Sequence, residues 1–331
     1  MLTLLAGDIG GTKTDLAIFA SDRGPRAPLA EASFQSPRYA GLETLVQEFF
    51  EKVRLPVAAA CFGVAGPVVA GRARVTNLPW VIDEGRLRET LRLDHVQVVN
   101  DLDAIAHAIP LLEADDLETL NPGTPVPGGA VAVIAPGTGL GEGFLTWDGA
   151  RYRAHPSEGG HTDFAPTNPA ELGLCRYLQS RVDHVSYERV CSGIGLPNIY
   201  AFLKDSGFAE EPAWLAERFE AAADATPVIV DAALGDAPVA LCAETLRMFV
   251  SILGAEAGNL ALKVLATGGV YLAGGMPRRI VSALKSGGFT QAFRRKGRFA
   301  ELLDRIPVNI VLNPRTALIG VASLGLTADA E

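Results

Sequence analysis

Residues that build disulfide frameworks and metal sites are scarce in this sequence. It has four cysteines in 331 residues, widely spaced and without a Cys-x-x-Cys pair: Cys61, Cys175, Cys191 and Cys242. This usage argues against a zinc site or a disulfide framework and suits a reduced, cytoplasmic compartment. The longest apolar segment, residues 241–266, is interrupted by four charged side chains. It therefore predicts a buried helix rather than a membrane span, and its small residues predict close packing against a neighbour.

Positive charge is also scarce. The chain has 29 Lys and Arg against 38 Asp and Glu, a net charge of −9. This balance argues against broad binding to nucleic acid or anionic membranes, which reward clustered Lys and Arg. One basic cluster, residues 294–298, is interpreted as a solvated helix end, with a local anion contact as the alternative. The chain starts directly in an apolar strand pattern without a basic leader, so we expect no secretory signal.

The better-known phosphate loops are missing, and two other glycine turns are present. The first is Gly7-Asp8-Ile9-Gly10-Gly11-Thr12, and the second is Gly137-Thr138-Gly139. A P-loop would need glycine at position 12, where Thr12 stands. The glycines at 137, 139, 141 and 143 do not fit the dinucleotide fingerprint either.

Each turn follows an apolar run and precedes a second strand pattern, which predicts a β-hairpin. Glycine allows a close backbone approach, so several N–H groups can converge on phosphate oxygens. One such hairpin would most often only join two strands. Two of them predict a nucleotide phosphate clamp, an arrangement that resembles the superfamily of actin and hexokinase.

Length and periodicity predict an α/β protein of two domains. A chain of 331 residues exceeds the usual size of one hydrophobic core. Strand patterns alternate with helices, and residues 4–19 and 131–146 share the order strand, glycine turn, strand. This echo indicates duplicated α/β domains.

Asn100 and Asp101 are the first catalytic candidates. They follow a short apolar strand at 96–99, and ligands in open α/β sheets bind at the carboxyl ends of strands. The alternative is that Asp101 or Asp103 caps a helix predicted at 104–108. Beside two glycine turns we favour a functional Asp101 and assign the cap to Asp103.

A glycine-rich loop supplies the second group of candidates. Glu158, His161 and Asp163 lie within residues 157–163, and Glu188 follows downstream. Carboxylates and a histidine on such a loop can bind several hydroxyl groups. A metal site and a purely structural loop are the alternatives, and Glu188 alone would most often be a solvated helix acid.

Seven motifs together resemble the bacterial glucokinase family. In chain order they are GDIGGT (7–12), VVNDLDAIAHAIP (98–110), APGTGLGEGFL (135–145), SEGGHTDFAP (157–166), VSYERVCSGIGLPNIY (185–200), GNLAL (258–262) and LAGGMPRRI (272–280). The resemblance extends from residue 5 to about residue 325. SEGGHxDFAP and SYERxxSG are specific to that family, whereas the first hairpin is shared more widely.

The resemblance implies two related α/β domains of the actin-like ATPase, ribonuclease H-like fold, flanking a sugar/ATP cleft. Residues 1–110 with a returning helix at 314–331 would form the smaller domain, and residues 111–313 the larger. The implied activity is ATP-dependent phosphorylation of glucose at its 6-hydroxyl, the first step of glycolysis, in a cytoplasmic protein that is a homodimer.

The resemblance also implies roles for individual residues. Asp101 would be the general base. The implied ligands of glucose are Asn100, Asp101, Glu158, His161 and Glu188. The implied ATP-binding residues are Gly7, Asp8, Ile9, Gly10, Gly11, Thr12, Gly137, Thr138 and Gly139 at the phosphates, with Gly274 and Gly275 near the adenosine. Mg²⁺ would accompany ATP, with Asp8 contacting it through water.

Two departures from related families matter. Lys13 stands where many glucokinases carry Asn, a choice shared with the ROK sugar kinases. The Cys-rich zinc motif of ROK proteins is absent after His161, which favours the glucokinase family. A kinase for another hexose or amino sugar is the nearer alternative. A non-catalytic sugar sensor is less favoured, because Asp101 is present and a hairpin at residue 7 leaves no upstream room for a helix-turn-helix.

Overall fold

The computed structural model describes residues 2–327 and divides into two compact units. Among these residues the first unit comprises 2–114, 153–155 and 313–327, and the second comprises 115–152 and 156–312. Each unit contains one mixed β-sheet with helices.

The first unit has a five-stranded sheet in the order β3-β2-β1-β4-β8, and a separate three-stranded antiparallel sheet, β5-β6-β7. Its strands are β1 (Thr3–Ile9), β2 (Lys13–Ala20), β3 (Ala30–Gln35), β4 (Ala59–Val64), β5 (Val68–Val69), β6 (Arg72–Arg74), β7 (Val81–Asp83) and β8 (His95–Asn100). Its helices are α1 (Leu42–Lys52), α2 (Glu84–Leu91), α3 (Asp101–Ala108) and, from the end of the chain, α13 (Thr316–Thr327).

Both faces of the five-stranded sheet are buried. Leu5 and Ile9 of β1 belong to one apolar cluster, whereas Leu4 and Ala6 belong to another on the opposite face. This is the period-two alternation of a strand covered on both sides. On the second face α13 packs against α3, β1 and β4, and an added Cβ at Gly320 would clash with the α3 backbone.

The second unit has a six-stranded sheet in the order β12-β11-β10-β13-β14-β9. Its strands are β9 (Leu117–Asn121), β10 (Val131–Pro136), β11 (Leu140–Trp147), β12 (Tyr152–Ser157), β13 (Gly269–Leu272) and β14 (Val308–Val311). Its helices are α4 (Pro169–Gln179), α5 (Gly195–Asp205), α6 (Ala213–Ala221), α7 (Ala225–Leu234), α8 (Ala240–Val264), α9 (Gly275–Arg279), α10 (Val281–Lys285), α11 (Gly288–Arg294) and α12 (Ala300–Arg305).

The long helix α8 lies in the core of the second unit, as its sequence predicted. α11 packs along it where Gly254 and Gly258 leave room, since added Cβ atoms there would meet the carbonyl oxygens of Phe289 and Phe293. The predicted close packing of this small-residue segment is confirmed. Over residues 2–327, no helix has the length and apolar character that crossing a bilayer requires.

The two sheets share a common core topology. In the first sheet, β1 and β2 form an antiparallel hairpin, and β4 and then β8 add to β1 in parallel. In the second sheet, β10 and β11 form the hairpin, and β13 and then β14 add to β10 in parallel. The internal repeat of strand, glycine turn and strand predicted from the sequence therefore corresponds to two related sheets. In the second sheet β9 adds an antiparallel edge strand.

Candidate active site

The first glycine turn is a tight hairpin between β1 and β2. The Gly10 N–H donates to the Lys13 carbonyl oxygen over 3.0 Å, and Ser36, which follows β3, hydrogen-bonds to the backbone of the turn. The Ser36 hydroxyl donates to the Gly10 carbonyl oxygen over 2.8 Å, and its N–H donates to the Thr12 carbonyl oxygen over 3.0 Å. An added Cβ at Gly11 would lie 2.5 Å from the Thr76 carbonyl oxygen, so this position requires glycine.

Two charged residues flank the first turn. Lys13 is half exposed and forms an ion pair of 2.9 Å with Asp15. Asp8 is partly buried in β1, directly opposite Asp15 in the hairpin register. Lys13 is therefore neutralised locally, and Asp8 is the acidic side chain of the strand that enters the turn.

The second glycine turn is built in the same way between β10 and β11. The Gly137 N–H donates to the Gly139 carbonyl oxygen over 2.8 Å. The segment after Glu188 supports this turn, because the Gly193 N–H donates to the Gly137 carbonyl oxygen over 2.7 Å. Thr138 is exposed at the tip.

The tips of both turns present backbone donors. Among residues 2–327 no acceptor pairs with the N–H groups of Gly11, Thr12, Thr138 or Gly139. Adjacent N–H groups in a glycine turn form a concave, electropositive surface suited to phosphate oxygens. Both predicted hairpins thus have the geometry of anion-binding turns.

Asn100 and Asp101 lie at the junction of β8 and α3. The parallel register of β1, β4 and β8 aligns Ile9, Val64 and Asn100, so Asn100 shares the sheet edge at which the first turn begins. The Asn100 side chain accepts from the Leu102 N–H over 3.0 Å and donates to the Gly66 carbonyl oxygen over 2.8 Å. Asn100 is therefore fixed at both ends.

Asp101 is the first residue of α3 and is partly buried. Its Oδ1 also accepts from the Leu102 N–H, over 3.0 Å. Burial raises the pKa of Asp101, opposed by the hydrogen bonds from the backbone N–H of Leu102 and from Asn100. A carboxylate with a raised pKa is a better proton acceptor than an ordinary aspartate.

The predicted helix cap at Asp103 is wrong. α3 begins at Asp101 rather than at residue 104, and Asn100 is its N-cap. Asp103 is the third residue of the helix, and its Oδ1 is 3.3 Å from Nδ1 of His107. The Asn100 side chain accepts from the Leu102 N–H, so the helix has already begun when the chain reaches Asp103, which therefore does not cap it.

The loop after β12 presents Glu158 and His161 to solvent. Residues 159–161 form a short 3₁₀ turn in which the His161 N–H donates to the Glu158 carbonyl oxygen over 3.0 Å. Both side chains are exposed. Gly160 is buried against β11, where an added Cβ would clash with the Leu140 carbonyl oxygen. Asp163 points elsewhere, because it pairs with His184 over 2.9 Å.

Glu188 connects this loop to the second hairpin. Its Oε2 accepts from the Leu140 N–H over 3.0 Å, and its own N–H donates to the Gly160 carbonyl oxygen over 2.8 Å. The alternative of a solvated helix acid is therefore wrong for Glu188. Gly274 lies at the same sheet edge, since its φ is +85° and an added Cβ would be 3.1 Å from the Pro136 carbonyl oxygen. Gly275 follows as the first residue of α9.

The candidate residues thus form one group in each unit. The first unit holds Asn100 and Asp101 with the first hairpin, and the second unit holds Glu158, His161 and Glu188 with the second hairpin. Within residues 2–327, no cluster of three or more His, Cys, Asp or Glu is arranged to hold a metal ion.

Sequence reasoning missed three residues that support these groups. Ser36 holds the first turn, and Glu142 and Glu256 are fully buried acids in the second unit. Local pattern gave no signal for them, because a serine after a strand and a glutamate in a strand or helix are usually solvated.

Comparison with known proteins identifies the family. A family model described as Glucokinase matches residues 5–328. The chain belongs to the glucokinase family. The glucokinase of Nostoc punctiforme is 42% identical over 335 residues, which cover 97% of this chain and 98% of that protein. The predicted resemblance is therefore confirmed, and with it the assignment to ATP-dependent glucose kinases.

Solved structures of glucokinases support the fold. The glucokinase of an Antarctic psychrotroph has a TM-score of 0.80 at 27% identity and covers 98% of each chain. A ROK family glucokinase from Streptomyces griseus, solved with glucose and AMPPNP, has a TM-score of 0.64 at 21% identity. It covers 98% of this chain and 99% of its own, and at that identity the likeness shows the fold alone. The predicted two-domain, actin-like α/β fold class is confirmed.

Proposed function

We propose that this glucokinase-family protein transfers the γ-phosphoryl group of ATP to the 6-hydroxyl of D-glucose, with Asp101 as general base. The observation that carries this role is the position of Asp101 at a strand–helix junction, with a pKa raised by burial. Asp101 would accept the proton of the sugar hydroxyl as its oxygen attacks phosphorus. The Leu102 N–H holds the carboxylate in place for that transfer.

We assign the binding of glucose hydroxyls to five side chains. Asn100 and Asp101 belong to the first unit. Three more, Glu158, His161 and Glu188, are here termed the second-unit ligands. Amide, carboxylate and imidazole groups match the donors and acceptors of a sugar that is almost all hydroxyl. The hydrogen bonds at Glu188 and Gly160 fix the backbone that carries the second-unit ligands.

The two turns are proposed to hold the phosphates of ATP. Residues 7–12 and 137–139 would form the two phosphate-binding turns. The backbone N–H groups of Gly11, Thr12, Thr138 and Gly139 would be the donors, and Thr12 and Thr138 would add exposed hydroxyl groups. Phosphoryl transfer asks a protein mainly for positioning and charge stabilisation, which fixed N–H donors supply without reorganisation. Gly274 and Gly275 would lie near the adenosine, because Gly274 packs on the strand that enters the second turn.

We propose Mg²⁺ as the divalent metal that accompanies ATP. Mg²⁺ keeps several waters and is usually bound by one or two carboxylates together with substrate phosphates. Asp8 fits this pattern as the acid beside the first turn, contacting the ion through water. When bound, the ion would offset negative charge on the phosphates. Activity should disappear with excess EDTA and return on addition of MgCl₂.

Three further assignments accompany this proposal. The compact units would be folding domains formed by residues 1–110 with 314–331 and by residues 111–313. The protein would be cytoplasmic and homodimeric. Light scattering coupled to size-exclusion chromatography measures the oligomeric state, and a mass of one chain, 34.8 kDa, would contradict the dimer.

A coupled assay across a panel of sugars tests the function. ADP release should be fastest with glucose plus MgATP and much slower with mannose, fructose or N-acetylglucosamine. Phosphorus NMR of the product should show a 6-phosphate ester. If kcat/KM were larger for another sugar than for glucose, that sugar would be the preferred substrate. Binding of sugar without turnover would indicate a sensor.

A further inference from the structure

Two glutamates of the second unit form a buried pair beneath the loop that carries Glu158 and His161. Glu142 of β11 is 1% exposed and Glu256 of α8 is 0% exposed. Among the described residues neither oxygen of Glu142 has a hydrogen-bond donor, and Oε1 of Glu256 also lacks one. Unpartnered buried carboxylates are costly, so such an arrangement needs compensation.

A proton supplies that compensation. The Glu256 carboxyl group raises the pKa of Glu142 both by its charge and by hydrogen bonding, and a hydrogen bond between two carboxyl groups requires one of them to be protonated. Glu256 is the better anion, since Asn259 donates to its Oε2 over 2.8 Å and the Lys263 ammonium lies 3.7 Å from its Oε1. Glu142 has no such donor and therefore carries the proton.

The surrounding charges agree with this assignment. Burial and the carboxylate of Glu256 raise the pKa of Glu142 to about 8, with Lys263 opposing. The Lys296 ammonium donates to Oδ1 of Asn259 over 2.5 Å, and its charge opposes the burial that raises the pKa of Glu256. Burial and the negative charge of Glu256 raise the pKa of the adjacent Cys191 thiol, so the thiol stays protonated.

The pair contacts one proposed glucose-binding segment directly and is linked to the other through Asn259 and Tyr187. Gly159 lies directly against Glu142, where an added Cβ would clash with the Glu142 carboxyl oxygen Oε2. Tyr187 accepts from Nδ2 of Asn259 over 2.9 Å, and its N–H donates to the Thr162 carbonyl oxygen over 3.0 Å. The pair thus supports the 3₁₀ turn from below and the segment carrying Glu188 from the side.

We propose that a proton shared by Glu142 and Glu256 positions the second-unit ligands for glucose, so that deprotonation of the pair weakens sugar binding without weakening ATP binding. Both are positioning residues, because neither belongs to the set that contacts substrate. The inference rests on the proposed function, since it assumes that Glu158, His161 and Glu188 bind the sugar. A second negative charge in this enclosed site would repel the first and displace the packed turn.

Glucose binding as a function of pH tests the inference. Calorimetric Kd values for glucose and for MgATP would be measured from pH 6.5 to 9.5 in the wild type and in Glu142→Gln. Glutamine keeps the shape and a donor toward Glu256 but cannot ionise. The wild-type glucose Kd should rise by up to about tenfold per pH unit above about 8, whereas that of Glu142→Gln should stay within about twofold.

The controls separate the outcomes. The MgATP Kd should follow the same pH dependence in both proteins, and Glu256→Gln should also flatten the glucose profile because it removes the second charge. If the glucose Kd of the wild type and that of Glu142→Gln depended on pH in the same way, the inference would be overturned. Absence of glucose binding by the wild type at pH 7 would instead contradict the proposed function.

Discussion

Replacing Glu142 with glutamine should stabilise the protein at pH 8 far more than at pH 5. In the folded chain burial and Glu256 raise the pKa of Glu142 to about 8, against an ordinary value of 4.5. Between these values the native state retains a proton that the unfolded chain has released. The free energy of unfolding therefore falls as pH rises through this window, by at most 1.36 kcal/mol per pH unit.

The window sets the size of the effect. It spans about 3.5 pH units, so the ceiling for Glu142 is about 5 kcal/mol, and local relaxation around the buried group lowers the effect below that ceiling. Above pH 8 the contribution is constant, and below pH 4.5 it is absent. Glu142→Gln removes this pH-dependent loss while other titrating groups remain common to both proteins.

Urea unfolding of both proteins at pH 5, 6, 7 and 8 measures the difference. The free-energy gap in favour of Glu142→Gln should widen steadily with pH. Glu89→Gln, a change at an exposed acid of α2, is a matched control and should show no widening gap. A gap between wild type and Glu142→Gln that stays constant within about 0.5 kcal/mol would refute the assignment of a proton to Glu142.

Three further predictions concern the site. Alanine at each of the second-unit ligands should raise the glucose Kd roughly 5- to 150-fold, because one lost buried hydrogen bond costs roughly 1–3 kcal/mol, and should leave the MgATP Kd unchanged. Asp163→Ala, at an exposed acid of the same loop, is the control and should leave both Kd values unchanged in calorimetry. Gly11→Ala should weaken MgATP rather than glucose, since its Cβ would lie 2.5 Å from the Thr76 carbonyl oxygen; Gly288→Ala, with no atom closer than 3.8 Å, should bind MgATP normally. When kcat/KM is measured against pH, the pKa of the acid limb should lie above 3.8, the ordinary pKa of aspartate, because burial raises the pKa of Asp101. A pKa at or below 3.8 for this limb would exclude Asp101 as its source.

Much of the sheet framework could be predicted from local pattern. β8 and α8 occur where apolar segments predicted a strand at 96–99 and a buried helix at 241–266, at His95–Asn100 and Ala240–Val264. Both glycine hairpins were also predicted, because glycine-rich turns between strands have few other conformations. Strong local signals thus specified the elements that carry the phosphate turns.

Other features depend on contacts that no local window contains. The sheet of β5, β6 and β7 was missed because its strands are only two or three residues long. β14 was missed because it is a four-residue strand between helices, paired with strands from distant parts of the chain. The start of α3 was misplaced because the N-cap is an amide, Asn100, which accepts from the Leu102 N–H, and the prediction had considered only acids as caps.

The burial of Glu142 is the clearest example of this limit. In sequence it occupies a polar position in an otherwise apolar strand, which would normally face solvent. Its burial follows in part from the packing of the turn at 159–161 against β11, and Glu256, whose charge raises its pKa, lies far along the chain. A sequence alone does not show which acid a fold will enclose.

Turnover by Asp101→Asn is the most direct test of the proposed mechanism. Asparagine keeps an oxygen that accepts from the Leu102 N–H, so the helix start and most sugar contacts should survive. We predict a kcat lower by on the order of 10²–10⁴, with the glucose Kd within about tenfold of wild type. Asp103→Asn, two residues along the same helix, should retain near-normal kcat. A near-normal kcat for Asp101→Asn would contradict the assignment of Asp101 as general base.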